Sequence, residues 1–351
     1  MDLTIHVRDS VKQIDKASWL VGSKHVLRHL QGPRKEDCLW ENSSDGSYYT
    51  LSTAPVPLPD AGPLAPNGHA SQIHDAGDAS AVFCFGDALI IKVRIAEDGT
   101  RREPETIAFL AGQQLSFDIP TVLFYMEDAG KTYLVEPYAP GKRLNEAWWE
   151  MSDEEKEYVA TRVSKICAEI KVFQSNVLTG VDYNWMDPLH KPGDYRVEVL
   201  QQHCKELGMD CSVFVLSHND LGPTNIIVNG NRIMVLDWEM AGYVPLEWVR
   251  TKFAICGALC AERVSSTCVE HNNDHQMWVE QKLGEMGFPE VTQAYIKKRH
   301  RAIEEKEERS RGWTMHVNRI LDTSQSTPVL RIFTAIQLPQ CVRDPRAHHQ
   351  L

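Results

Sequence analysis

The chain has 351 residues, of which 42% are hydrophobic and 24% charged, and its formal net charge is −11. This is the composition of an ordinary soluble globular protein, long enough for two lobes and a large core. The acidic balance argues against a nucleic-acid partner, which requires a basic face, and no apolar run reaches the roughly 18 residues of a membrane-spanning helix.

Cysteine usage and the beginning of the sequence indicate a cytoplasmic protein. The nine cysteines are scattered and odd in number, which is typical of free thiols in a reducing compartment. The opening MDLTIHVRDSVKQIDKASWL lacks the basic-then-apolar pattern of a secretory signal. We therefore expect no membrane partner, and the oligomeric state is left open.

The N-terminal segments carry no chemical signature. Residues 1–50 hold short mixed runs, in which we expect an opening helix and a strand that cover the edge of the adjoining structure. Residues 54–69 contain five prolines and two glycines, a pattern typical of a surface loop. The role of residues 1–70 is left open.

From Ser71 to Tyr138 the pattern predicts strand, strand, helix, strand, strand. AVFCFG and ALIIKVR are joined at Gly86-Asp87, a hairpin signal, and TVLFYM and TYLVEPY follow the helix. The small-residue loop HDAGDAS, which ends at Ser80, precedes the first strand. Backbone N–H groups of such a loop can approach an anion closely.

Lys92 closes the second strand among apolar neighbours, where an unpaired ammonium would be costly. Thr100 and Glu103 have the spacing of a capping box and predict a helix start. Either Glu103 or Glu105 could pair with Lys92; alternatively, the lysine snorkels to water and the glutamates stabilise the helix N-terminus. The predicted apolar face of this helix comprises Ile107, Leu110 and Ala111.

After Gly141 the chain is predicted to be mainly helical. Ser152 and Glu155 form a second capping box before a run with helical apolar spacing. Residues 176–198 contain Trp, Tyr and Asp suited to a pocket wall. Beyond Trp248 we expect helices over FAICGALCAERV, HQMWVEQKLGEM and TQAYIKKRHRAIEEKEERSRGW.

A polar cluster lies between two apolar runs in VFVLSHNDLGPTNIIVNGNRIMVLDWEMAGYVPLEW. Asn229-Gly230 is a strong signal for a two-residue hairpin turn, which would fold IIV back along RIMVLD. That fold brings Asn225 towards Asp237 and makes a hard-oxygen site suited to Mg²⁺. Asp220 lies on the loop leading in, where it can face a substrate.

A second cluster of metal-binding residue types lies further along the chain. Its spacing is not a C-x-x-C framework, and on a continuous helix two of its cysteines would share one apolar face. Buried thiols are therefore the favoured interpretation, with zinc as the alternative. The cluster comprises Cys256, Cys260, Cys268, His271 and His275.

The stretch from His218 to Asn225 fits H-x-D-L-x-x-x-N, with Asp237 one hairpin later and Lys92 and Glu103 upstream in order. This set resembles the protein-kinase-like superfamily. Asp237 to Pro245 reads DWEMAGYVP, which resembles aminoglycoside phosphotransferase-like and choline-kinase-like enzymes, notably the fungal group with D-W-E-x-A-G-x-x-P. The resemblance covers residues 71–255.

The resemblance implies an α+β, protein-kinase-like two-lobed fold. An antiparallel sheet with one helix would form the N-lobe, and the C-lobe would be mainly helical. Residues 1–137 would be the nucleotide-binding lobe, with 1–70 as an extension and loop. Residues 138–351 would be the catalytic and substrate lobe.

The resemblance also assigns roles. Asp220 would be the catalytic base, Asn225 and Asp237 would hold Mg²⁺ on the phosphates of ATP, and Lys92, paired with Glu103, would bind the α- and β-phosphates. These parts position and neutralise a transferring phosphoryl group.

Further positions complete the implied site. His218 would brace the catalytic loop, and backbone groups around Glu136 and Tyr138 would form the hinge for adenine. Ser80 would belong to the nucleotide site, although HDAGDAS is not a G-x-G-x-x-G loop. ATP and GTP are not distinguished.

Departures from protein kinases favour a small-molecule acceptor. Position 219 is Asn instead of Arg, Trp238-Glu239 follows the metal-binding Asp, and no A-P-E segment follows. We expect an ATP- and Mg²⁺-dependent phosphotransferase acting on a hydroxyl. The alternatives are a non-catalytic nucleotide- or partner-binding protein and, less favoured, a protein kinase. Acidic residues of the C-lobe would suit an amine-bearing substrate, namely Asp182, Asp187, Asp194 and Glu247.

Overall fold

The computed structural model describes residues 6–34, 36–42, 45–96, 103–179, 197–264 and 269–304. Residues 1–299 form one compact unit. Of the second unit, residues 300–351, only 300–304 are described, and they are helical. None of the described helices is long and apolar enough to cross a membrane.

The first part of the chain forms an antiparallel sheet of five strands. They are β1 (Val11–Asp15), β2 (Ser18–Val21), β3 (His25–Leu30), β4 (Cys38–Glu41) and β5 (Tyr48–Thr53), in the spatial order β1-β2-β3-β5-β4. The expected opening helix is wrong, because short β-branched and aromatic runs between turns favour strands over helix. The predicted loop at residues 54–69 is confirmed, apart from a bridge between Gln13 and Gly62.

The second sheet has the predicted strands and one more. It comprises β6 (Ala70–Asp75), β7 (Ser80–Phe85), β8 (Leu89–Ile95), β9 (Phe124–Asp128) and β10 (Lys131–Pro137), ordered β6-β7-β8-β10-β9. Helix α1 (Glu103–Ala111) follows β8, as predicted. Because of the extra strand β6, HDAGDAS spans the tip of a β6–β7 hairpin, whose turn is residues 76–79.

Helix α1 begins at the predicted residue but buries a slightly different face. Thr106, Ile107 and Leu110 are buried, whereas Ala111 is exposed. The helix ends at Ala111, so its last residue projects beyond the packed face. Thr100, the predicted capping residue, lies outside the described residues.

The C-terminal part is mainly helical. It contains α2 (Leu144–Ala147), α3 (Asp153–Ile170), α4 (Val197–Glu206), α5 (Leu246–Ile255), α6 (Asp274–Glu285) and a helical segment at 292–299. The capping box of α3 is confirmed: Glu155 N–H donates to Ser152 Oγ at 3.3 Å, and Ser152 N–H donates to Glu155 Oε2 at 2.8 Å.

Short strands lie among these helices and form two three-stranded antiparallel sheets. Their spatial orders are β11-β14-β15 and β12-β13-β16. The strands are β11 (Lys142–Arg143), β12 (Gln174–Ser175), β13 (Phe214–Ser217), β14 (Ile226–Asn229), β15 (Arg232–Val235) and β16 (Gly242–Val244). The segment with the polar cluster thus runs through both small sheets.

The two larger hydrophobic cores correspond to the two lobes. One lies between the N-terminal sheets and includes Trp19, Tyr49 and Phe85. The other gathers the C-terminal helices and also takes in Ile107 and Leu110 of α1. The protein therefore has the α+β architecture expected from its sequence, with antiparallel sheets and one helix in the first part and a mainly helical second part. The boundary between residues 137 and 138 stays a prediction.

The chain after Trp248 departs from the predicted helix. Helix α5 ends at Ile255, a 3-10 turn spans Gly257–Leu259, and a hairpin of β17 (Ala261–Val264) and β18 (Val269–Asn272) follows. Glycine at the helix end lowers helix propensity, so the expected helix over FAICGALCAERV is wrong from Cys256 onward. Helix α6 confirms the helix predicted for HQMWVEQKLGEM. Residues 180–196, most of the predicted pocket wall, lie outside the described residues.

His275 gives the fold a pH-dependent contact. It is fully buried in the first turn of α6, with its ring edge-on to Trp148 at 5.3 Å. Burial lowers the pKa of His275 from 6.5 to about 4. The unfolded chain therefore binds this proton more readily, and stability is lost as the pH falls.

The pKa of His275 is about 4 in the folded protein, against an ordinary value of 6.5. As the pH falls through this range, we expect a loss of up to about 3 kcal/mol of unfolding free energy. Urea unfolding of the parent and His275→Phe over this range measures the effect. The variant should lack this part of the pH dependence, whereas His300→Gln, at an exposed histidine, should keep it. Equal pH slopes in parent and His275→Phe would contradict the assignment.

Candidate active site

The H-x-D-L-x-x-x-N motif begins directly after a buried strand. All four residues of β13 are buried, and they deliver His218 into the core. His218 Nδ1 accepts a hydrogen bond from Asp220 N–H at 3.2 Å, and Nε2 lies 2.8 Å from Leu236 O. Burial lowers the pKa of His218, which favours the neutral ring in which Nδ1 can accept a hydrogen bond while Nε2–H donates one.

The amide group of Asn225 locks Asp220 in place. Asn225 Nδ2 donates to both the backbone oxygen and Oδ2 of Asp220, each at 2.8 Å. Because the NH₂ group is engaged in this way, the amide oxygen is the atom of Asn225 that can bind a cation. The carboxylate that the sequence places as base and the amide that it places as metal ligand therefore lie side by side.

The predicted hairpin is present, with its turn one residue later. Strands β14 and β15 pair Asn229 with Arg232, so the loop residues are Gly230 and Asn231. Gly230 has φ of +58°, which glycine adopts without strain. At the open end, Leu236 N–H donates to Asn225 O at 2.8 Å, which brings Asp237 beside Asn225.

Asp237 itself has a left-handed backbone, with φ and ψ both 62°. This conformation is uncommon for a residue other than glycine and is frequent at functional positions. Its side chain remains 35% exposed. A partly exposed carboxylate held in this way can meet a ligand without rearrangement.

Lys92 lies at the centre of three carboxylates. Its Nζ is 2.8 Å from Glu103 Oε1, 3.2 Å from Glu136 Oε2 and 4.0 Å from Asp237 Oδ1. Glu105 is exposed, so Glu103 is the helix residue that pairs with the lysine. Burial alone would lower the pKa of Lys92, but the three carboxylates outweigh it and hold the pKa well above its ordinary value.

The single positive charge of Lys92 does not balance the three carboxylates around it. Burial, together with the nearby negative charges of Asp237 and Glu136, raises the pKa of Glu103 to about 7 against the attraction of Lys92. Burial likewise raises the pKa of Glu136, whose Oε1 is buried with no hydrogen-bond partner in the described part of the chain. The cluster therefore has surplus negative charge that a bound cation would relieve.

Glu103 also connects the two lobes. Its Oε1, which accepts from Lys92, accepts a second hydrogen bond from Trp238 N–H at 3.1 Å. Trp238 is fully buried, and its ring meets His218 edge-on at 4.6 Å. The lysine of the sheet, the helix α1 and the segment that carries Asp237 are thus joined through two hydrogen bonds to one carboxylate oxygen.

No sequence prediction covers Arg94 and Glu239, which form a second ion pair between the lobes. Burial, with Asp237 nearby, raises the pKa of Glu239 to about 9, against the attraction of Arg94. The sequence could have indicated the position of Arg94, because it lies two residues after Lys92 and so shares the same face of β8. The inward-facing side chain of Glu136 is likewise unpredicted, because only its backbone was expected to matter.

A cavity of about 430 Å³ lies between the lobes. Its lining includes Lys92, Glu136, Asp220, Asn225 and Asp237, together with apolar side chains such as Ile90, Val82 and Leu236. A volume of this size is typical of a small-molecule site. Six of the predicted site residues, these five and Tyr138, therefore line one cavity.

The other predicted nucleotide-site residues, Tyr138 and Ser80, lie at or beyond the edge of the cavity. Tyr138 lines the cavity, but its N–H donates to Ala88 O at 2.9 Å, so that hinge amide is already bonded within the sheet. Ser80 begins β7 and pairs with Arg94 across the sheet. The part of the β6–β7 hairpin that lines the cavity comprises Ile73, His74 and Val82. A nucleotide role of Ser80 stays a prediction.

The residues present fit a hard divalent cation. The amide oxygen of Asn225 and the carboxylate of Asp237 are the kinds of ligand that Mg²⁺ prefers. Carboxylate oxygens of Glu103, Asp237 and Glu239 also lie within 4.8 Å of one another. The donor set and its surplus negative charge thus agree with the predicted metal site.

Comparison with known proteins gives structural likeness only. No protein-family model matches the sequence, and neither does any curated protein. The aminoglycoside phosphotransferase APH(2″)-Ib bound to ADP is 17% identical, over 65% of this chain and 80% of that one, with a TM-score of 0.42.

Two further solved structures are similar. A putative fructosamine-3-kinase from Haemophilus somnus is 12% identical over 67% of this chain and 80% of its own, with a TM-score of 0.42. A choline/ethanolamine kinase family protein from Mesorhizobium loti is 16% identical over 62% and 70%, with a TM-score of 0.39. Scores this low carry no argument about function, which must come from the site itself.

Proposed function

We propose that this chain is an ATP- and Mg²⁺-dependent phosphotransferase of the aminoglycoside phosphotransferase-like and choline-kinase-like type, acting on a hydroxyl group of a small molecule. One observation supports it most strongly. Glu103 contacts both Lys92 and the backbone N–H of Trp238, which adjoins Asp237 in the sequence. The same cavity is lined by Asp220 and Asn225.

In the proposed reaction, Lys92 binds the phosphates of ATP while Glu103 holds the ammonium in position. Asn225 and Asp237 would hold Mg²⁺, which when bound neutralises charge on the phosphates. Asp220 orients the acceptor hydroxyl and takes its proton, the hydroxyl oxygen bonds to the γ-phosphorus, and the bond to the β-phosphate oxygen breaks to release ADP. Phosphoryl transfer depends mainly on such alignment and charge neutralisation.

The loop geometry supports a small-molecule acceptor over a protein. Position 219 has no guanidinium to bind an activation-loop phosphate. Instead, Asn219 has a left-handed backbone with φ of 64°, and its Nδ2 donates to Met240 O at 3.0 Å. The loop is thus closed on its own chain, with no phosphorylation needed to order it.

An amine on the acceptor remains part of the proposal. Asp182, Asp187 and Asp194 lie outside the described residues, and Glu247 accepts a hydrogen bond from Asp210 N–H at 3.3 Å. Among the described residues, Glu146 is an exposed carboxylate on the cavity wall. We propose it as the contact for an amine on the acceptor.

Thermal unfolding with ATP tests the nucleotide and metal parts of the proposal. With Mg²⁺ present and ATP at about 100 times its dissociation constant, we expect about 2.7 kcal/mol of stabilisation. The shift should vanish without Mg²⁺ and in Asp237→Ala, because the metal that links phosphates to protein is then lost.

Asp210→Ala provides the control, because this exposed residue lies away from the cavity. It should keep the full shift. If ATP stabilises neither the parent nor the control at any Mg²⁺ concentration, nucleotide binding is refuted. If the Asp237→Ala protein keeps the parent's shift, Asp237 is not a metal ligand. A metal-dependent shift without turnover would favour a non-catalytic nucleotide-binding protein.

A further inference from the structure

The hairpin of β17 and β18 brings three potential metal ligands together outside the residues that line the active-site cavity. Glu262 and His271 are directly opposite in the strand register. Cys260 directly precedes β17 with an extended backbone, φ −81° and ψ 160°, and lies two residues before Glu262. The alternation of side chains along extended backbone therefore directs both to the same face. The sulfur, nitrogen and oxygen ligand atoms all lie within 4.8 Å of one another.

The distances suit a single tetrahedral ion. Cys260 Sγ is 3.7 Å from His271 Nδ1, and His271 Nδ1 is 3.3 Å from Glu262 Oε1. Ordinary zinc–ligand bond lengths place tetrahedral sulfur and nitrogen ligands about 3.6 Å apart, and nitrogen and oxygen ligands about 3.3 Å apart. Both separations are therefore close to those that zinc requires before any side chain moves.

The surroundings leave the three ligands available. Arg263 carries the nearest cation in the strand, but its Nη2 is 2.6 Å from Glu270 and its guanidinium lies 4.7 Å from the Trp149 ring centre. The backbone is anchored, since Glu262 N–H donates to Asn145 Oδ1 at 2.6 Å. Cys260 is buried, whereas Glu262 and His271 are exposed, so an ion can enter from solvent.

We propose that Cys260, Glu262 and His271 form a zinc-binding site, with water as the fourth ligand. Thiolate and imidazole together favour zinc over the hard cations suited to the carboxylate cavity. His271 would bind through Nδ1 and carry its proton on Nε2. The site is independent of the proposed phosphotransfer.

Binding must release a proton. Burial, with Glu262 nearby, raises the pKa of the Cys260 thiol. The metal-free site therefore holds S–H, and the proton leaves when sulfur bonds to the metal. Without metal, the same distances amount to a thiol–imidazole contact and a cross-strand contact between His271 and Glu262. An experiment must therefore separate the two cases.

Cobalt provides the probe, because Co²⁺ substitutes for zinc and a cobalt–thiolate bond absorbs in the near ultraviolet. Titration of chelator-treated full-length protein should give one equivalent of tightly bound Co²⁺ with this band, and added Zn²⁺ should remove it. Co²⁺ held by Asn225 and Asp237 would give no such band, since neither residue contains sulfur.

Cys260→Ser should lose the band, and His271→Gln should weaken zinc affinity by more than about 100-fold. Two controls should keep both: Glu270→Gln, on the same strand but paired with Arg263, and Cys211→Ser, a thiol outside the hairpin. Absence of the band in the parent, or an unchanged band in a folded Cys260→Ser protein, would overturn the proposal. The parent titration decides it even where a variant fails to fold.

Discussion

Asp220→Asn is expected to retain nucleotide binding while losing turnover by about a thousand-fold, within the range for removal of a general base. The amide oxygen of the new side chain can still accept the hydrogen bond from Asn225 Nδ2, so the loop should keep its shape. It cannot accept the proton of a hydroxyl. Steady-state ATP consumption and the thermal shift with ATP and Mg²⁺ measure the two properties separately.

Asp210→Asn is the matched control. Asp210 accepts a hydrogen bond from Ser212 N–H at 2.8 Å in an exposed turn, which asparagine can also accept. We expect parental turnover from this variant. If Asp220→Asn turns over at the parental rate, Asp220 is not the base; if it loses ATP binding as well, its role is in binding.

Lys92→Met should be the most destabilising single change in the cavity. It leaves the carboxylates of Glu103, Glu136 and Asp237 facing one another without the ammonium that each approaches within 4.0 Å. Removing one partner of a buried ion pair typically costs about 3–5 kcal/mol. Chemical denaturation of parent and variant near neutral pH measures this loss, and ATP binding should be lost in the same variant.

The pH dependence identifies the cause. Because the lysine no longer stabilises the charged carboxylates, their protonation favours the folded variant, and its deficit should shrink as the pH is lowered. Lys142→Met is the control: its ion pair with Glu150 is exposed on both sides, so it should cost at most about 1 kcal/mol. A Lys92→Met protein as stable as this control would mean that the carboxylates are not charged in the folded state.

The parts of the fold that the sequence predicts are those with local signals. The capping box of α3 and the strands flanking Gly86 and Gly130 follow from a few adjacent residues. The H-x-D-L-x-x-x-N stretch is equally local, and the Asn225 amide bonds within five residues of itself. Lys92 and Glu103 were predicted as partners because α1 follows β8 closely.

Contacts between distant segments were less accessible to prediction. The ion pair of Arg94 with Glu239 joins residues 145 positions apart, and so depends on how the lobes pack. The bond from Trp238 N–H to Glu103 spans 135 positions. In both cases the sequence shows the groups but not their pairing, because many other carboxylates were equally eligible.

Two errors have a common physical origin in strand formation. Five short strands lie between residues 11 and 53, and Ala261–Val264, where a helix was expected, pairs as a strand with Val269–Asn272. A strand is stabilised by a partner that is not adjacent in the sequence, so short runs of mixed polarity do not show it. The second error changed the chemistry, because only the hairpin brings Cys260, Glu262 and His271 together.

Phosphorus NMR of the reaction mixture tests the proposed function most directly. Full-length protein with ATP and Mg²⁺ is incubated with a panel of amino alcohols, aminoglycosides and sugars. We predict that at least one acceptor gives a phosphate monoester in equal amount to ADP, that omission of Mg²⁺ abolishes it, and that Asp220→Asn does not form it. If ATP binds in the presence of Mg²⁺ but no acceptor in any class yields a phosphate ester, the proposed phosphotransfer is contradicted.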